Sequence, residues 1–398
     1  MAPPTATSTV QITQDIKKLE VSNNQEQKPE KQVKSKYDTD NVGKYKSPFY
    51  SARVEGEDGL LVLKNIERGD LSYPEYEPTW DTKTKFEPYE LFEIKDRGLF
   101  ADKSYKNLLS KDNKDLQTSD LTPKFGTEIK GVQLSELSDA AKDELALLTA
   151  ERGVLVFRDQ DLASKGVEFN VKFAEYFGPL HIHPASGAPK GYPELHLVYR
   201  SKDASATESF LKRHTTSVAW HSDVSYEKQP LGTTFLGLLD GPTSGGDTAF
   251  VDTQAAYDRL SPEFQQIIER LTAEHSGFEQ AEASLRSGGI TRRDPVKNIH
   301  PVVRTHPVTG KKAIYVNQQF TRDIQELKVE ESDAILGFLY NFLSTSIDLQ
   351  IRAKWEKGTV VVWDNRRASH SALYDWETTE RRHLYRLGPR AEKPFLKK

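Results

Sequence analysis

The chain of 398 residues has no cysteine. Disulfide scaffolding, thiolate metal sites and cysteine nucleophiles are therefore excluded, and any metal must sit on His, Asp or Glu. No apolar run approaches the roughly 18 residues that span a bilayer. Charge of one sign is missing as well: 55 Lys and Arg stand against 59 Asp and Glu, giving a net charge of −4 and a pI near 6.3. That balance leaves no footprint for nucleic acid or an anionic membrane surface. The first 14 residues lack the charged-then-apolar signal pattern, and Leu396-Lys397-Lys398 match no address tag. There is no internal repeat. These absences lead us to expect a cytoplasmic protein that acts on a small molecule, without nucleic-acid or membrane partners. A homo-oligomer is compatible with all of them.

What is present describes a globular protein with polar attachments, at 36% hydrophobic and 29% charged residues. Residues 1–45 are rich in Gln, Lys, Glu, Asn, Ser and Thr and read as a disordered tail. Residues 46–120 space aromatics with Pro and charge, as in Tyr73-Pro74-Glu75-Tyr76-Glu77-Pro78-Thr79-Trp80. We expect an irregular arm packing its aromatics on the main domain, with a binding role as the minor reading. From Leu121 the pattern becomes regular. Ser138 caps a helix running to about Arg152, and Val167–Phe177 reads as a second helix. Ser261-Pro262-Glu263 starts a helix to about His275, and Glu330–Ser346 is amphipathic. Strands are expected at 153–158, 233–239, 248–251, 300–304, 312–316, 359–363 and 383–387. The segment 277–294, with Gly288-Gly289, reads as a mobile loop over a pocket. Many strands with few helices point to a mainly β fold, a barrel or jelly roll with helices packed outside.

The chemistry concentrates in Trp220-His221-Ser222-Asp223 and in Trp363-Asp364-Asn365-Arg366-Arg367-Ala368-Ser369-His370. On a strand, His221 and Asp223 share a face. With His370 beside them they make a two-His, one-carboxylate set, which leaves three positions open on an octahedral metal, as in non-haem Fe(II) oxygenases. A bare His-x-Asp is common, and most are ordinary polar residues. An α-ketoglutarate-using oxygenase further needs a fixed cation for the far carboxylate, for which arginine is suited. Arg382 and Arg386 share a face of the last strand, although alone they read first as surface charge. Thr248 and His183 offer donors for anions, and each alone reads as structural.

Taken together these motifs resemble the taurine dioxygenase family, particularly its fungal sulfonate dioxygenases. The resemblance rests on Trp220 to Tyr226, Ser244-Gly245-Gly246-Asp247-Thr248, and His300-Pro301-Val302-Val303-Arg304-Thr305-His306-Pro307. It extends through Tyr315-Val316-Asn317, Trp363-Asp364-Asn365-Arg366, His370 and Arg381-Arg382-His383-Leu384-Tyr385-Arg386, covering about Leu121 to Phe395. It implies a dioxygenase domain over 121–398 with a double-stranded β-helix (jelly-roll, cupin-like) core. Fe(II), α-ketoglutarate and O2 are the implied cofactor and cosubstrates. The implied metal and catalytic positions are His221, Asp223 and His370, and the cosubstrate positions are Thr248 and Arg382. Implied substrate positions are His183, Arg386, Ser217, Val224 and Phe320. Where taurine enzymes carry a Tyr and an Asn toward the substrate amine, this chain has Ser186 and Ser217. The implied reaction hydroxylates an anionic substrate, an alkylsulfonate at the carbon beside sulfur, and gives sulfite, an aldehyde, succinate and CO2. A sulfate ester, an aryloxyalkanoate or xanthine is an alternative substrate. A Zn(II) hydrolase and a non-catalytic metabolite-binding protein are the alternatives in other classes.

Overall fold

The structure is a computed structural model. It describes Tyr37, Thr39, Tyr45, Lys46 and residues 53–397 other than 65, 67, 68, 70, 203, 204 and 377–379. The chain divides into Met1–Asp38 and Thr39–Lys398, and the second unit is described below. The tail expected over 1–45 lies almost wholly outside the described residues.

The unit is mainly β with flanking helices. Its strands are β1 (Arg53–Glu55), β2 (Leu61–Leu63), β3 (Thr79–Trp80), β4 (Gln117–Asp120), β5 (Thr127–Lys130), β6 (Val154–Phe157), β7 (His196–Arg200), β8 (Thr233–Asp240) and β9 (Thr248–Asp252). They continue as β10 (Thr272–Ser276), β11 (Lys297–Pro301), β12 (Val303–Thr305), β13 (Lys312–Ile314), β14 (Thr321–Ile324), β15 (Gln350–Ala353), β16 (Val360–Asp364), β17 (Ala368–Ala372) and β18 (Arg382–Leu387). Seven of them form the main sheet in the order β4-β5-β6-β16-β8-β18-β7, antiparallel except for the β5–β6 pair. A second sheet, β15-β9-β17, is antiparallel throughout.

Burial explains the placement. The run Val360-Val361-Val362-Trp363-Asp364 is buried at every residue, and β16 sits between β6 and β8. β-Branched side chains suit such a pleated, doubly covered surface. Leu236, Phe250, Ile351, Trp363, Ala368 and Leu384, drawn from both sheets, share one core. Fully burying side chains of that size contributes about 1.5–3 kcal/mol each. The other face of the main sheet is covered by the helices Asp139–Arg152 and Val167–Glu175 through Leu145, Leu148 and Phe173, with Phe177 just beyond the second helix. Ser138 caps the first helix, its Oγ accepting from Ala141 N at 3.2 Å, and Gly153 ends it at φ 76°.

Three expectations need correction. The helix from Ser261 stops at Ile268, and Thr272–Ser276 instead pairs with β11 and β14. The α propensity of Ala273-Glu274 yields there to two flanking strands. Residues 278–286 form a packed helix, with Gln280, Ala281, Glu282 and Ser284 buried, so this stretch is not a loose loop. His221-Ser222-Asp223 is not a strand: it makes a single bridge to β17 and then turns, with Val224 at φ 44°. The arm is irregular between its short strands, yet Tyr76 is fully buried with its ring 5.5 Å from that of Tyr385. Among the described residues no helix is long and apolar enough to cross a membrane.

Candidate active site

Two mutual backbone bonds assemble the centre. His221 N donates to His370 O at 3.0 Å, and His370 N donates to His221 O at 2.8 Å. This bridge sets the two rings 4.2 Å apart between centroids. Asp223 follows on the turn. Its Oδ1 lies 3.6 Å from His221 Nε2 and 3.7 Å from His370 Nε2. One ligand-capable atom from each of the three residues falls within 4.8 Å of the others.

The donor set fits a divalent metal. His221 Nδ1 donates to Ala219 O at 2.8 Å, which fixes the tautomer and leaves the Nε2 lone pair for a ligand. Asp223 Oδ2 is buried with no hydrogen-bond partner. Burial pushes the Asp223 carboxyl up, but Arg386, His370 and His221 outweigh it and hold the group well below the usual carboxylate range. Burial, reinforced by His221, pushes His370 down to about 3, so it is a neutral imidazole. An anionic carboxylate and lone-pair imidazoles are the forms that bind metal.

These groups line a cavity of about 240 Å³ shared with His183, Ser217, Val224, Thr248, Phe320, Arg382 and Arg386. All the residues expected at the site from the sequence are thus brought to one space. Arg382 is 2% exposed, and its Nε donates to Gly246 O at 2.8 Å. Its Nη2 lies 3.3 Å from Thr248 Oγ1. Among the described residues it has no carboxylate partner, and burial pushes it down to about 10. A buried guanidinium in that state calls for an anion. Arg386 sits four residues further along β18, and its Nη1 donates to Asp223 Oδ1. His183 Nδ1 accepts from Ala185 N and Ser186 N at 3.2 and 3.0 Å, so the ring proton is on Nε2. Burial, with His196 and Arg386 next, keeps this ring neutral. Phe320 forms an apolar wall, its ring 6.0 Å from that of His221.

Residues 117–387 match the model of the taurine catabolism dioxygenase TauD, TfdA family. The chain belongs to this family. It is similar to the alpha-ketoglutarate-dependent sulfonate dioxygenase of Saccharomyces cerevisiae, with 49% identity over 354 residues, 88% of this chain and 86% of that one. It is 42% identical to the alpha-ketoglutarate-dependent dioxygenase cnsP of Penicillium expansum, covering 85% of this chain and 91% of the relative. Among solved structures it resembles a taurine dioxygenase from Burkholderia xenovorans, with TM-score 0.55, 26% identity and coverage of 70% and 91%. It also resembles AAD-2 in complex with Mn(II) and N-oxalylglycine, with TM-score 0.55, 26% identity and coverage of 70% and 98%.

Against this family background, several site residues escaped the sequence reading. Asn365 lies in the Trp363–Arg366 run, but no role was legible for it. Its Oδ1 accepts from Asp223 N at 2.7 Å, and its Nδ2 donates to Asp223 O at 3.0 Å, clamping the turn that carries the carboxylate. His196 lies 4.6 Å from His183 between ring centroids, on a strand that the alternation in Leu195-His196-Leu197-Val198 could have revealed. Arg292 Nη2 donates to the carbonyls of His183 and Ser186 at 3.0 and 2.7 Å, pinning the His183 loop. No local pattern marks such a long-range contact.

Proposed function

We propose that this chain is an Fe(II)- and α-ketoglutarate-dependent dioxygenase that oxidises an alkylsulfonate at the carbon beside sulfur. The reaction consumes the sulfonate, α-ketoglutarate and O2. It releases sulfite, an aldehyde, succinate and CO2. The observation that carries the reading is the convergence of His221, Asp223 and His370 in the same cavity as a buried Arg382 that makes no ion pair with a carboxylate among the described residues. The similarity to a sulfonate dioxygenase supports the substrate class. Antiparallel pairing in both sheets and the core they share support reading them as the two faces of a double-stranded β-helix.

Fe(II), held by His221, Asp223 and His370, would supply O2 activation coupled to decarboxylation of the keto acid. The remaining work belongs to the chain. Arg382 and Thr248 would fix the far carboxylate of α-ketoglutarate, orienting its keto-acid end toward the triad. His183 Nε2–H and Arg386 would hold the sulfonate, placing the neighbouring C–H at the metal position. Phe320, Trp363 and Leu236 would exclude water around that carbon.

The test is anaerobic loading with Fe(II) and α-ketoglutarate, then O2 and a panel of alkylsulfonates, sulfate esters, aryloxyacetates and xanthine. Succinate with equimolar sulfite on alkylsulfonates is expected. Succinate without sulfite would keep the reaction class and remove the substrate. No succinate from any of them, with iron loading confirmed, would overturn the reading.

A further inference from the structure

His196 stands in the wall of the cavity, beside the two groups expected to hold the substrate anion. It is the direct cross-strand partner of Arg386 in the antiparallel pairing of β7 with β18. Side chains directly opposite on such a pair leave the same face of the sheet, with Cβ atoms about 4.5–5.5 Å apart. From that face Arg386 reaches Asp223. The His196 ring also lies 4.6 Å from that of His183, centroid to centroid. His183, His196 and Arg386 therefore make one cluster, drawn from a loop and two neighbouring strands.

The cluster is held from several directions. Leu197 N donates to Gly187 O at 2.9 Å, tying the loop that carries His183 to β7 at the residue next to His196. Pro78 and Trp80 of the arm line the same cavity. Thr79 N donates to Ala188 O at 2.9 Å, and Ala188 N returns a bond to Thr79 O at 3.0 Å. Trp80 Nε1 donates to Ala185 O at 3.0 Å. The loop is thus fixed by the strand and by the arm together, and the spacing of the two imidazoles is fixed with it.

The proton on His196 follows from its surroundings. Its Nδ1 is buried with no hydrogen-bond partner among the described residues. A proton there would be a buried donor without an acceptor, which is costly. It therefore belongs on Nε2, the ring nitrogen left to the cavity. Burial, with Arg386 next, keeps the ring neutral. A sulfonate has three oxygens around a tetrahedral sulfur, whereas a carboxylate has two in a plane. Arg386 shares its Nη1 with Asp223, and His183 supplies one N–H. His196 supplies a further N–H, which a head group one oxygen short would leave unmet.

We propose that His196 is a substrate-binding residue whose Nε2–H meets the third oxygen of the sulfonate, and that it makes the site select sulfonates over carboxylates of the same chain. The proposal rests on the sulfonate reading above and adds the residue that distinguishes the head group.

The experiment pairs each alkylsulfonate of the panel that releases sulfite with the carboxylate of the same chain, such as 2-hydroxyethanesulfonate with 3-hydroxypropanoate and ethanesulfonate with propanoate. Each compound is titrated calorimetrically into the full chain loaded anaerobically with Fe(II) and α-ketoglutarate. Each sulfonate is expected to bind at least tenfold tighter than its carboxylate. His196→Leu is expected to weaken the sulfonates tenfold or more and the carboxylates less than threefold, so that the preference collapses. His196→Gln, which keeps an N–H donor, should recover part of the loss. Binding of α-ketoglutarate to the iron form should be unchanged in both variants, and a loss there equal to the loss for the sulfonate would mark a structural role and overturn the proposal. Sulfonate binding unaltered in His196→Leu, or an equal loss on both head groups, would overturn the role of His196 and leave the sulfonate reading standing. Sulfite from no alkylsulfonate of the panel would overturn both.

Discussion

Arg386 Nη1 donates to Asp223 Oδ1, so the guanidinium expected to anchor the substrate is paired with the carboxylate expected to hold the metal. Both groups are buried. An incoming sulfonate would therefore share Arg386 with Asp223, which couples substrate anchoring to the metal centre. Removing one partner of a buried, hydrogen-bonded charge pair costs about 2–5 kcal/mol. For Arg386→Gln we expect a fall in kcat/KM for sulfonates of roughly 30-fold to several thousandfold. Arg386→Lys keeps the charge without the fork and should fall between. Steady-state kinetics with sulfite detection checks this, and a variant with near-normal kcat/KM would remove Arg386 from the substrate site.

Arg382 is expected to act on the cosubstrate alone. It is buried among Gly246, Thr248 and the Trp376 ring, 6.0 Å from its guanidinium carbon. Its charge has no carboxylate partner among the described residues. Arg382→Gln should weaken α-ketoglutarate binding by roughly 100-fold or more, about 3 kcal/mol for a lost charge-assisted pair. Fe(II) affinity should change little. Anaerobic titration of α-ketoglutarate into the iron form measures the first quantity and iron binding alone the second. Equal losses in both would point to a general structural defect.

Asn365 addresses Asp223 through the backbone only. Its two shortest side-chain bonds land on the Asp223 peptide groups, a longer one reaches Leu231 O at 3.5 Å, and the residue is fully buried. The turn it holds includes Val224 at φ 44°, a costly position for a β-branched residue. Asn365→Leu should free that turn and leave two buried backbone groups unsatisfied. We expect 10- to 100-fold weaker metal affinity, the usual range for a supporting partner of a ligand. The apparent KM for α-ketoglutarate, measured at saturating iron, should move less than threefold. Calorimetric iron binding to the metal-free variant checks the first, and unaltered affinity would remove Asn365 from this role.

What the sequence showed and what it hid divide along physical lines. Val360–Trp363 and the Ser138-capped helix were legible because composition and local hydrogen bonding decide them. The triad was legible only through motif resemblance, since His221 and His370 meet by a backbone bridge that no local pattern encodes. The strand alternation offered for His221 and Asp223 gave a correct proximity for the wrong reason, because the segment bends at Val224 after one bridge. The helix carried too far toward His275 failed where pairing on both edges overrode propensity. The arm's place in the cavity was hidden because Thr79 and Trp80 are tied to it through long-range contacts with Ala188 and Ala185.

Acid should unfold this protein from a higher pH than its carboxylates alone would dictate. Eight of its ten histidines are held below their ordinary value, with burial the leading cause in each. His181 and His300 are pushed down to about 4. Because these folded values lie below the unfolded value of about 6.5, the unfolded chain takes up protons first. The stabilisation from neutral histidines is thus complete about one unit above pH 6.5 and is lost as pH falls through 6.5 toward the folded values. Each histidine contributes up to about 1.4 kcal/mol per pH unit within that window. Asp223, Asp364 and Glu227 are also held low, so their stabilisation is lost only at still lower pH and does not mask the effect. Urea unfolding at pH 7.5, 6.5 and 5.5 should show stability already falling over the first step, because the unfolded histidines are about half protonated at pH 6.5. Over the second it should fall by more than a single proton's slope, because several histidines titrate together. Level stability down to pH 5.5 would mean that these rings are already charged, or already exposed to water, in the folded protein.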